Sequence, residues 1–180
     1  MDDKLIWMDL EMTGLDPETA VIVEIATVVT DKDLAIVAEG PVMAIALAPE
    51  DEAAMDEWSR EHHEASGLMD RVRASRTSAA EAEERTLAFL SGLCQEKACP
   101  LCGNSVWQDR RFLVKYMPRL NEFLHHRLVD VSTVKELARR WLPGLAPYAK
   151  KHSHTAREDI LESINELAYY RDKVFLAAKP

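Results

Sequence analysis

The chain has 180 residues, of which 47% are apolar and 29% are charged. This composition can fill a hydrophobic core and excludes a disordered chain, and the length predicts a single domain over residues 1–180. Lysine and arginine number 22 against 31 acidic residues, which gives a formal net charge of −9. Such acidity disfavours a protein that coats or tracks long nucleic acid, but it is compatible with a short anionic substrate bound through metal ions.

The sequence shows no sign of membrane insertion or export. No stretch approaches the roughly 18 consecutive apolar residues of a membrane helix, and the acidic first four residues do not resemble a signal peptide. The three cysteines fit a reducing compartment better than a disulfide framework. Cys99-x-x-Cys102 could be half a zinc site or a redox pair, but no second Cys or His pair stands at a suitable spacing. We therefore expect a cytoplasmic protein.

The first part of the chain predicts three β-strands, in residues 5–8, 21–29 and 34–47. The first is a continuous apolar run followed by Asp9, which is typical of a strand buried on both faces. The second is interrupted by Glu24, and the third contains Gly40 and Pro41. Because the connections are too short for parallel crossovers, we expect these strands to pair antiparallel.

The remainder of the chain alternates helical patterns with two short strands. Ser78-x-x-Glu81 and Thr133-x-x-Glu136 have the spacing of helix-capping boxes. The predicted helices cover residues 53–60, a segment from Ser78, residues 109–124 with a kink at Pro118, a segment from Thr133, and residues 155–171; the predicted strands are 100–103 and 128–131. This order predicts an α/β fold with a mixed five-stranded sheet flanked by helices.

Three short acidic motifs could carry chemistry. Asp9 and Glu11 are two apart on an extended segment, so they point to the same side and suit Mg²⁺ or Mn²⁺. This pattern recurs at Asp16-Pro17-Glu18, in a turn, and could equally be a solvated strand end. Asp109 could be a third carboxylate aimed at the same metal, or an ordinary residue near a helix start.

The third motif is His154 with Asp159, which lie just before and just inside the last predicted helix. A histidine beside a metal-bound carboxylate could take a proton from water. The same spacing occurs at His125 and Asp130, where the histidine precedes a predicted strand, and we interpret that copy as coincidence.

In chain order, these motifs resemble the histidine-bearing branch of the DEDD exonuclease superfamily. Longer blocks closely resemble the oligoribonuclease family: residues 7–15, residues 102–105 with 108–113, and residues 130–133 with 135–141. The resemblance extends from Leu5 to about Arg171. It implies a ribonuclease H-like fold, a homodimer, and two-metal removal of nucleotides from the 3′ end of very short RNA.

The resemblance also implies a role for each site residue. Asp9, Glu11 and Asp159 would hold one metal. Asp9 would also bind a second metal, which Asp109 would support. Neutral His154 would deprotonate the attacking water. The implied substrate contacts are Leu15 against the bases, Trp58 stacking on one base, and a set around the 5′ phosphate that comprises His63, Ser105, Ser132 and Arg127 of the partner chain.

Two positions depart from the family pattern. A tyrosine commonly stands where this chain has His126, and residue 107, usually small or polar, is Trp107. Imidazole can still stack and donate a hydrogen bond, so the role at 126 can persist with altered affinity.

Three functions remain open at this point. The first is a 3′→5′ exoribonuclease for short oligoribonucleotides, especially dinucleotides, with no membrane or long DNA as partner. The alternatives are a related exonuclease that acts on longer RNA ends or DNA, and a catalytically inactive dinucleotide-binding protein. Because the four carboxylates and His154 are all present, the sequence favours an enzyme over a binding protein.

Overall fold

Six β-strands form one mixed sheet in the computed structural model, which describes residues 3–149 and 155–175. The strands are β1 (Leu5–Met12), β2 (Ile22–Thr30), β3 (Ile36–Glu39), β4 (Met43–Ala44), β5 (Leu101–Gly103) and β6 (Leu128–Asp130). Their order is β3-β2-β1-β5-β6, and β4 also pairs with β2. The β1–β2 and β2–β3 pairs are antiparallel, whereas β1–β5 and β5–β6 are parallel. The predicted mixed α/β fold, with antiparallel strands followed by two more, is confirmed.

The predicted third strand is broken into β3 and β4. Gly40 donates its N–H to the carbonyl of Thr27 at 2.8 Å, and a Cβ at Gly40 would lie 2.7 Å from the ring of Phe89. Glycine is therefore required for the close approach of this ring. Pro41, which has no N–H to offer the sheet, follows at once and ends the pairing.

Eight α-helices lie within the described residues. They are α1 (Pro49–Ala54), α2 (Glu57–Ala65), α3 (Leu68–Ala74), α4 (Ala79–Ser91), α5 (Trp107–Tyr116), α6 (Pro118–Phe123), α7 (Val131–Trp141) and α8 (Ala156–Tyr170), followed by a π-helical turn at Arg171–Phe175. The helix predicted at 53–60 is two helices, because Asp56 caps the start of α2. The helix predicted at 109–124 is divided before Pro118, and α3 was not predicted.

The predicted helix cap at Ser78 is confirmed. Ser78 Oγ accepts from the N–H of Glu81 at 3.1 Å and starts α4. The box predicted at Thr133 is wrong, because the helix cap is Asp130, three residues earlier, whose Oδ1 accepts from the N–H of Ser132 at 2.9 Å. This start places Ser132 in the first turn of α7, directly after β6.

Both faces of β1 are covered, which positions the neighbouring helices. Ile6 and Met8 pack in a buried cluster with residues of α4, α5 and α6, while Trp7 packs in a second cluster with Ile160 and Ile164 of α8. The alternation of sides along β1 therefore docks α5 on one face and α8 on the other. Each helix brings its first turn to the carboxyl end of β1.

The structure also bears on the membrane and cysteine predictions. None of the helices in the described ranges is long and apolar enough to cross a membrane. Cys99 and Cys102 are buried thiols outside any disulfide, and burial raises the pKa of the Cys102 thiol. No metal-binding group of three or more residues in the described part of the chain includes them.

Candidate active site

Three carboxylates converge at the carboxyl-terminal half of β1. One ligand oxygen from each of Asp9, Glu11 and Asp159 lies within 4.8 Å of the other two. The sequence prediction that Asp9 and Glu11 share one side of a strand is thus in agreement with the geometry, but Asp9 does not lie at a strand exit. β1 continues to Met12 because β2 extends alongside it, with Met12 opposite Ile22.

The pKa values of Asp9 and Glu11 are raised because buried groups of like charge lie close together. Burial, followed by the charges of the neighbouring carboxylates, raises the pKa of Asp9 well above its ordinary value. Burial and then Asp159 raise the pKa of Glu11 from 4.5 to about 8. Hard oxygen ligands grouped in this way fit a divalent cation, whose charge would offset their mutual repulsion.

Asp109 joins these residues from α5. It is buried in the first turn, and its Oδ1 accepts from the N–H of Leu10 at 3.0 Å. Burial raises the pKa of Asp109 to about 7, and after burial the Asp109 charge contributes most to the raised pKa of Asp9. The N-cap of α5 is Val106, and Asp109 lies within the first turn. We call Asp9, Glu11, Asp109 and Asp159 the acidic cluster.

A fifth carboxylate, Glu24, was not assigned a role from the sequence. It is fully buried on β2 directly opposite Glu11, and its Oε1 lies 2.5 Å from Arg71 Nη1. Its Oε2 accepts from the N–H of Ala156 at 3.4 Å, which links it to the start of α8. The available signal was an acidic residue within an otherwise apolar strand, since a buried charge requires a partner.

Ser105 and Ser132 come together just after β5 and β6, the two strands that continue the sheet in parallel from β1. Their hydroxyl oxygens are 3.1 Å apart, and the N–H of Ser105 donates to both Ser132 Oγ and Asp130 Oδ1 at 3.0 Å. Trp7 of β1 pairs with Cys102 of β5, so this group lies at the same edge of the sheet as Asp9. We call Asn104, Ser105, Asp130 and Ser132 the serine pocket.

The two predicted base contacts are exposed on the surface. Leu15 is 70% exposed, and its carbonyl accepts from Gln108 and, at 3.4 Å, from Arg111. Trp58 is 65% exposed and stacks on His62 with ring centroids 3.8 Å apart. Large apolar side chains held in place at the surface are suited to contact with flat ligands.

Four further residues were singled out in the sequence, and three of them lie within the described residues. His63 is buried; its Nε2 is 2.8 Å from the Met12 carbonyl and its Nδ1 is 3.8 Å from Glu11, so its contacts are beside the acidic cluster. Arg127 is exposed just before β6. Trp107 is 53% exposed with Arg111 over its ring at 5.8 Å. His154 lies outside the described residues.

Comparison with known proteins assigns this site to a class. The exonuclease family model of the RNase T type matches residues 6–167. The fold is similar to exonuclease I of E. coli in a single-stranded DNA complex, with a TM-score of 0.72 and 14% identity over 97% of this chain. This chain spans about two fifths (41%) of that protein, so the likeness concerns the fold. The fold is ribonuclease H-like, and the protein is a hydrolase of the 3′→5′ exonuclease class.

Closer relatives narrow the class to one family. The oligoribonuclease of Marinobacter nauticus is 58% identical over 174 residues, covering 96% of this chain and 97% of the relative. That of Shewanella loihica is 56% identical over 175 residues, covering 97% of both chains. The chain therefore belongs to the oligoribonuclease family of exoribonucleases, and the resemblance read from the sequence is confirmed.

Proposed function

We propose that the chain hydrolyses short oligoribonucleotides from their 3′ end, dinucleotides above all, and releases mononucleotides. The observation that carries this proposal is the convergence of Asp9, Glu11 and Asp159 within 4.8 Å. The relatives at 53–58% identity, which are named oligoribonucleases, supply the substrate class. We further propose that it acts as one domain, in the cytoplasm, as a homodimer.

Two divalent ions, Mg²⁺ or Mn²⁺, are the cofactors of this proposal. Asp9, Glu11 and Asp159 would hold one ion, and Asp9 would share the second with Asp109. Such ions supply Lewis-acid stabilisation of the reacting phosphate and make water easier to ionise. They would also neutralise the phosphate, so that a protein with a net charge of −9 can bind an anion.

The protein's own groups have separate tasks in this scheme. The Leu10 N–H holds Asp109 in one orientation through the 3.0 Å hydrogen bond. His154, which precedes the start of α8 in the sequence, is proposed to accept the proton of the attacking water on a neutral ring nitrogen, because only the neutral imidazole has a free lone pair. After bond cleavage, the protonated imidazole can return the proton to solvent.

The substrate would extend from the acidic cluster to the serine pocket and contact exposed apolar side chains. Leu15 and Trp58 contact the bases in this proposal, and Trp58 is already stacked on His62. Ser105, Ser132 and the partner's Arg127 receive the 5′ phosphate, and Arg127 offers the planar fork that suits phosphate oxygens. The proposed phosphate contact of His63 rests on the family resemblance alone.

The preference for dinucleotides has a physical basis in charge and size. A net charge of −9 gives no long-range attraction for an extended polyanion and repels its distal phosphates. A pocket closed over the 5′ phosphate leaves no exit for a third nucleotide. We therefore expect faster cleavage of dinucleotides than of longer RNA.

A direct test is incubation of end-labelled RNA of two to ten nucleotides with Mg²⁺ or Mn²⁺. Mononucleotide product released fastest from the dinucleotide supports the proposal. Faster cleavage of ten-nucleotide RNA or of DNA would favour an exonuclease for longer substrates. Binding of the dinucleotide without cleavage would favour a binding protein, and either result contradicts the proposal.

Mixing two inactive variants tests whether Arg127 acts in the partner's site. Heterodimers of Arg127→Ala and Asp9→Asn chains have one site with both lesions and one site with neither, so up to half of wild-type activity per heterodimer should return. If Arg127 serves its own chain, each site keeps one lesion and mixing restores nothing. Full dinucleotide activity in a monomer would also overturn the proposed dimer.

A further inference from the structure

A chain of hydrogen bonds connects the serine pocket to two buried side chains of α8. Asn104 donates its amide N–H groups to Ser163 Oγ at 2.8 Å and to Glu166 Oε2 at 3.0 Å. Its amide oxygen accepts from Ser132 Oγ at 3.0 Å. Ser163 and Glu166 are 5% and 1% exposed, so Asn104 is attached to a rigid part of the molecule.

The orientation of the Asn104 amide follows from the chemistry of these partners. Glu166 is in an ion pair with Lys135, whose Nζ lies 3.5 Å from Glu166 Oε1, and the carboxylate of an ion pair only accepts hydrogen bonds. The amide nitrogen of Asn104 therefore faces α8, and its oxygen faces Ser132. A reversed amide would place two acceptors against each other on the α8 side.

Ser132 in turn fixes Ser105. The N–H of Ser105 donates to Ser132 Oγ and to Asp130 Oδ1, each at 3.0 Å. Ser105 has a φ of 51°, in the left-handed region that is uncommon for residues with a side chain. Such a conformation persists where surrounding contacts over-determine it, and it is a frequent feature of ligand clamps.

We propose that Asn104 is the positioning residue of the serine pocket and thereby sets the selectivity for a 5′-phosphorylated end. The inference rests on the proposed function, in which Ser105 and Ser132 receive that phosphate. Its anchor, Glu166, lies seven residues after Asp159 on α8, about two helical turns along one face. One rigid helix thus carries both a ligand of the acidic cluster and the support of the pocket.

The test compares kcat/KM for a 5′-phosphorylated and a 5′-hydroxyl RNA dinucleotide in Mg²⁺. Wild type should prefer the phosphorylated dinucleotide. Asn104→Ala should lower this preference roughly 10-fold by raising KM for the phosphorylated substrate, while kcat and the kinetics of the 5′-hydroxyl dinucleotide stay within about twofold. The matched control is Asn165→Ala, at an exposed asparagine of α8, which should leave the preference unchanged.

A double-mutant cycle separates positioning from general support. Because Asn104 acts through Ser132, Asn104→Ala should not lower the preference further in a Ser132→Ala chain. If Asn104→Ala slows both dinucleotides equally and leaves the preference intact, its role is structural and the inference is wrong. If wild type has no preference, the assignment of the serine pocket under the proposed function is wrong instead.

Ser163→Ala keeps the test decisive should Asn104→Ala fail to fold. This change removes one of the two acceptors of the Asn104 amide and leaves Glu166 in place. The preference for the 5′ phosphate should fall by a smaller factor than in Ser132→Ala. An unchanged preference in a folded Ser163→Ala chain would overturn the inference.

Discussion

The acidic cluster and the serine pocket lie at the same edge of the sheet, but they are held together in opposite ways. In the acidic cluster, oxygens of Asp9, Glu11 and Asp159 lie within 4.8 Å of one another. Burial and the neighbouring carboxylates raise the pKa of Asp9 and Glu11, so the fold holds these groups against repulsion. In the serine pocket, each donor of Asn104 and Ser105 meets an acceptor at about 3 Å. Without metal, removal of a carboxylate from the acidic cluster should therefore stabilise the protein, whereas removal of a hydrogen-bonding group from the serine pocket should destabilise it.

Asp9→Asn should have the largest effect on activity. Loss of a residue that only hydrogen-bonds to a metal ligand lowers metal affinity or activity roughly 10–100-fold. Loss of the carboxylate shared by both ions should therefore leave no measurable turnover. The same change removes repulsion, so without metal the variant should melt above wild type. Mg²⁺ should raise the melting temperature of wild type much more than that of the variant.

A matched control is Asp16→Asn, in the second Asp-x-Glu copy, where Asp16 is exposed in a turn. It should keep normal rates and the normal response of the melting temperature to Mg²⁺. Near-normal turnover of Asp9→Asn at saturating metal would contradict the assignment of both ions.

His154→Ala should lower turnover roughly 10²–10⁴-fold, since general-base catalysis contributes about that factor. Dinucleotide binding, measured by titration in Ca²⁺, should change much less. The wild-type rate should rise with pH through the imidazole titration, because only neutral histidine accepts a proton. His152→Ala, two positions earlier in the sequence, is the control and should remain active. A rate independent of pH while chemistry limits turnover would exclude His154 as the base.

The stability of the metal-free protein should depend on pH through the acidic cluster. Unfolding returns Glu11 from a pKa of about 8 to 4.5 and Asp109 from about 7 to 3.8. The folded chain therefore keeps these protons to higher pH than the unfolded chain, and the free energy of unfolding falls as pH rises from about 4 to about 8. Chemical denaturation in EDTA measures this fall, and Glu11→Gln should reduce it. An unchanged slope in Glu11→Gln would contradict the repulsion argument.

Substitution of Arg71, beside the acidic cluster, should have the smallest effect of these changes. It pairs with the fully buried Glu24 and lowers the pKa of Glu11. Arg71→Met leaves a buried carboxylate unpaired, and because the arginine side chain is itself 42% exposed we expect a loss of about 1–3 kcal/mol in the free energy of unfolding. The double variant with Glu24→Gln should recover part of this loss, as measured by urea denaturation. Equal stability of the single and double variants would contradict the pairing.

The sequence predicted the parts of the molecule whose signals are local. The apolar run before Asp9, the β-branched second strand and the Ser78 box specify strands and a helix through their own periodicity and capping. The two-residue spacing of Asp9 and Glu11 places both on one side of a strand wherever that strand lies. The predicted boundaries of strands and helices were wrong where residues distant in the sequence determine them. An example is the break between β3 and β4 at Gly40, where the ring of Phe89 requires glycine.

The amino-acid sequence alone specifies the reactive residue types, their order along the chain and the resemblance to a family. The docking of α5 and α8 on opposite faces of β1 is seen only in the tertiary structure. This docking brings Asp109 and Asp159, which lie 100 and 150 positions away in the sequence, to Asp9. The tertiary structure also decided that Glu24 meets Arg71 and that Asn104 meets Glu166. These pairings depend on the packing of side chains from separate elements, and no local pattern in the chain encodes such contacts.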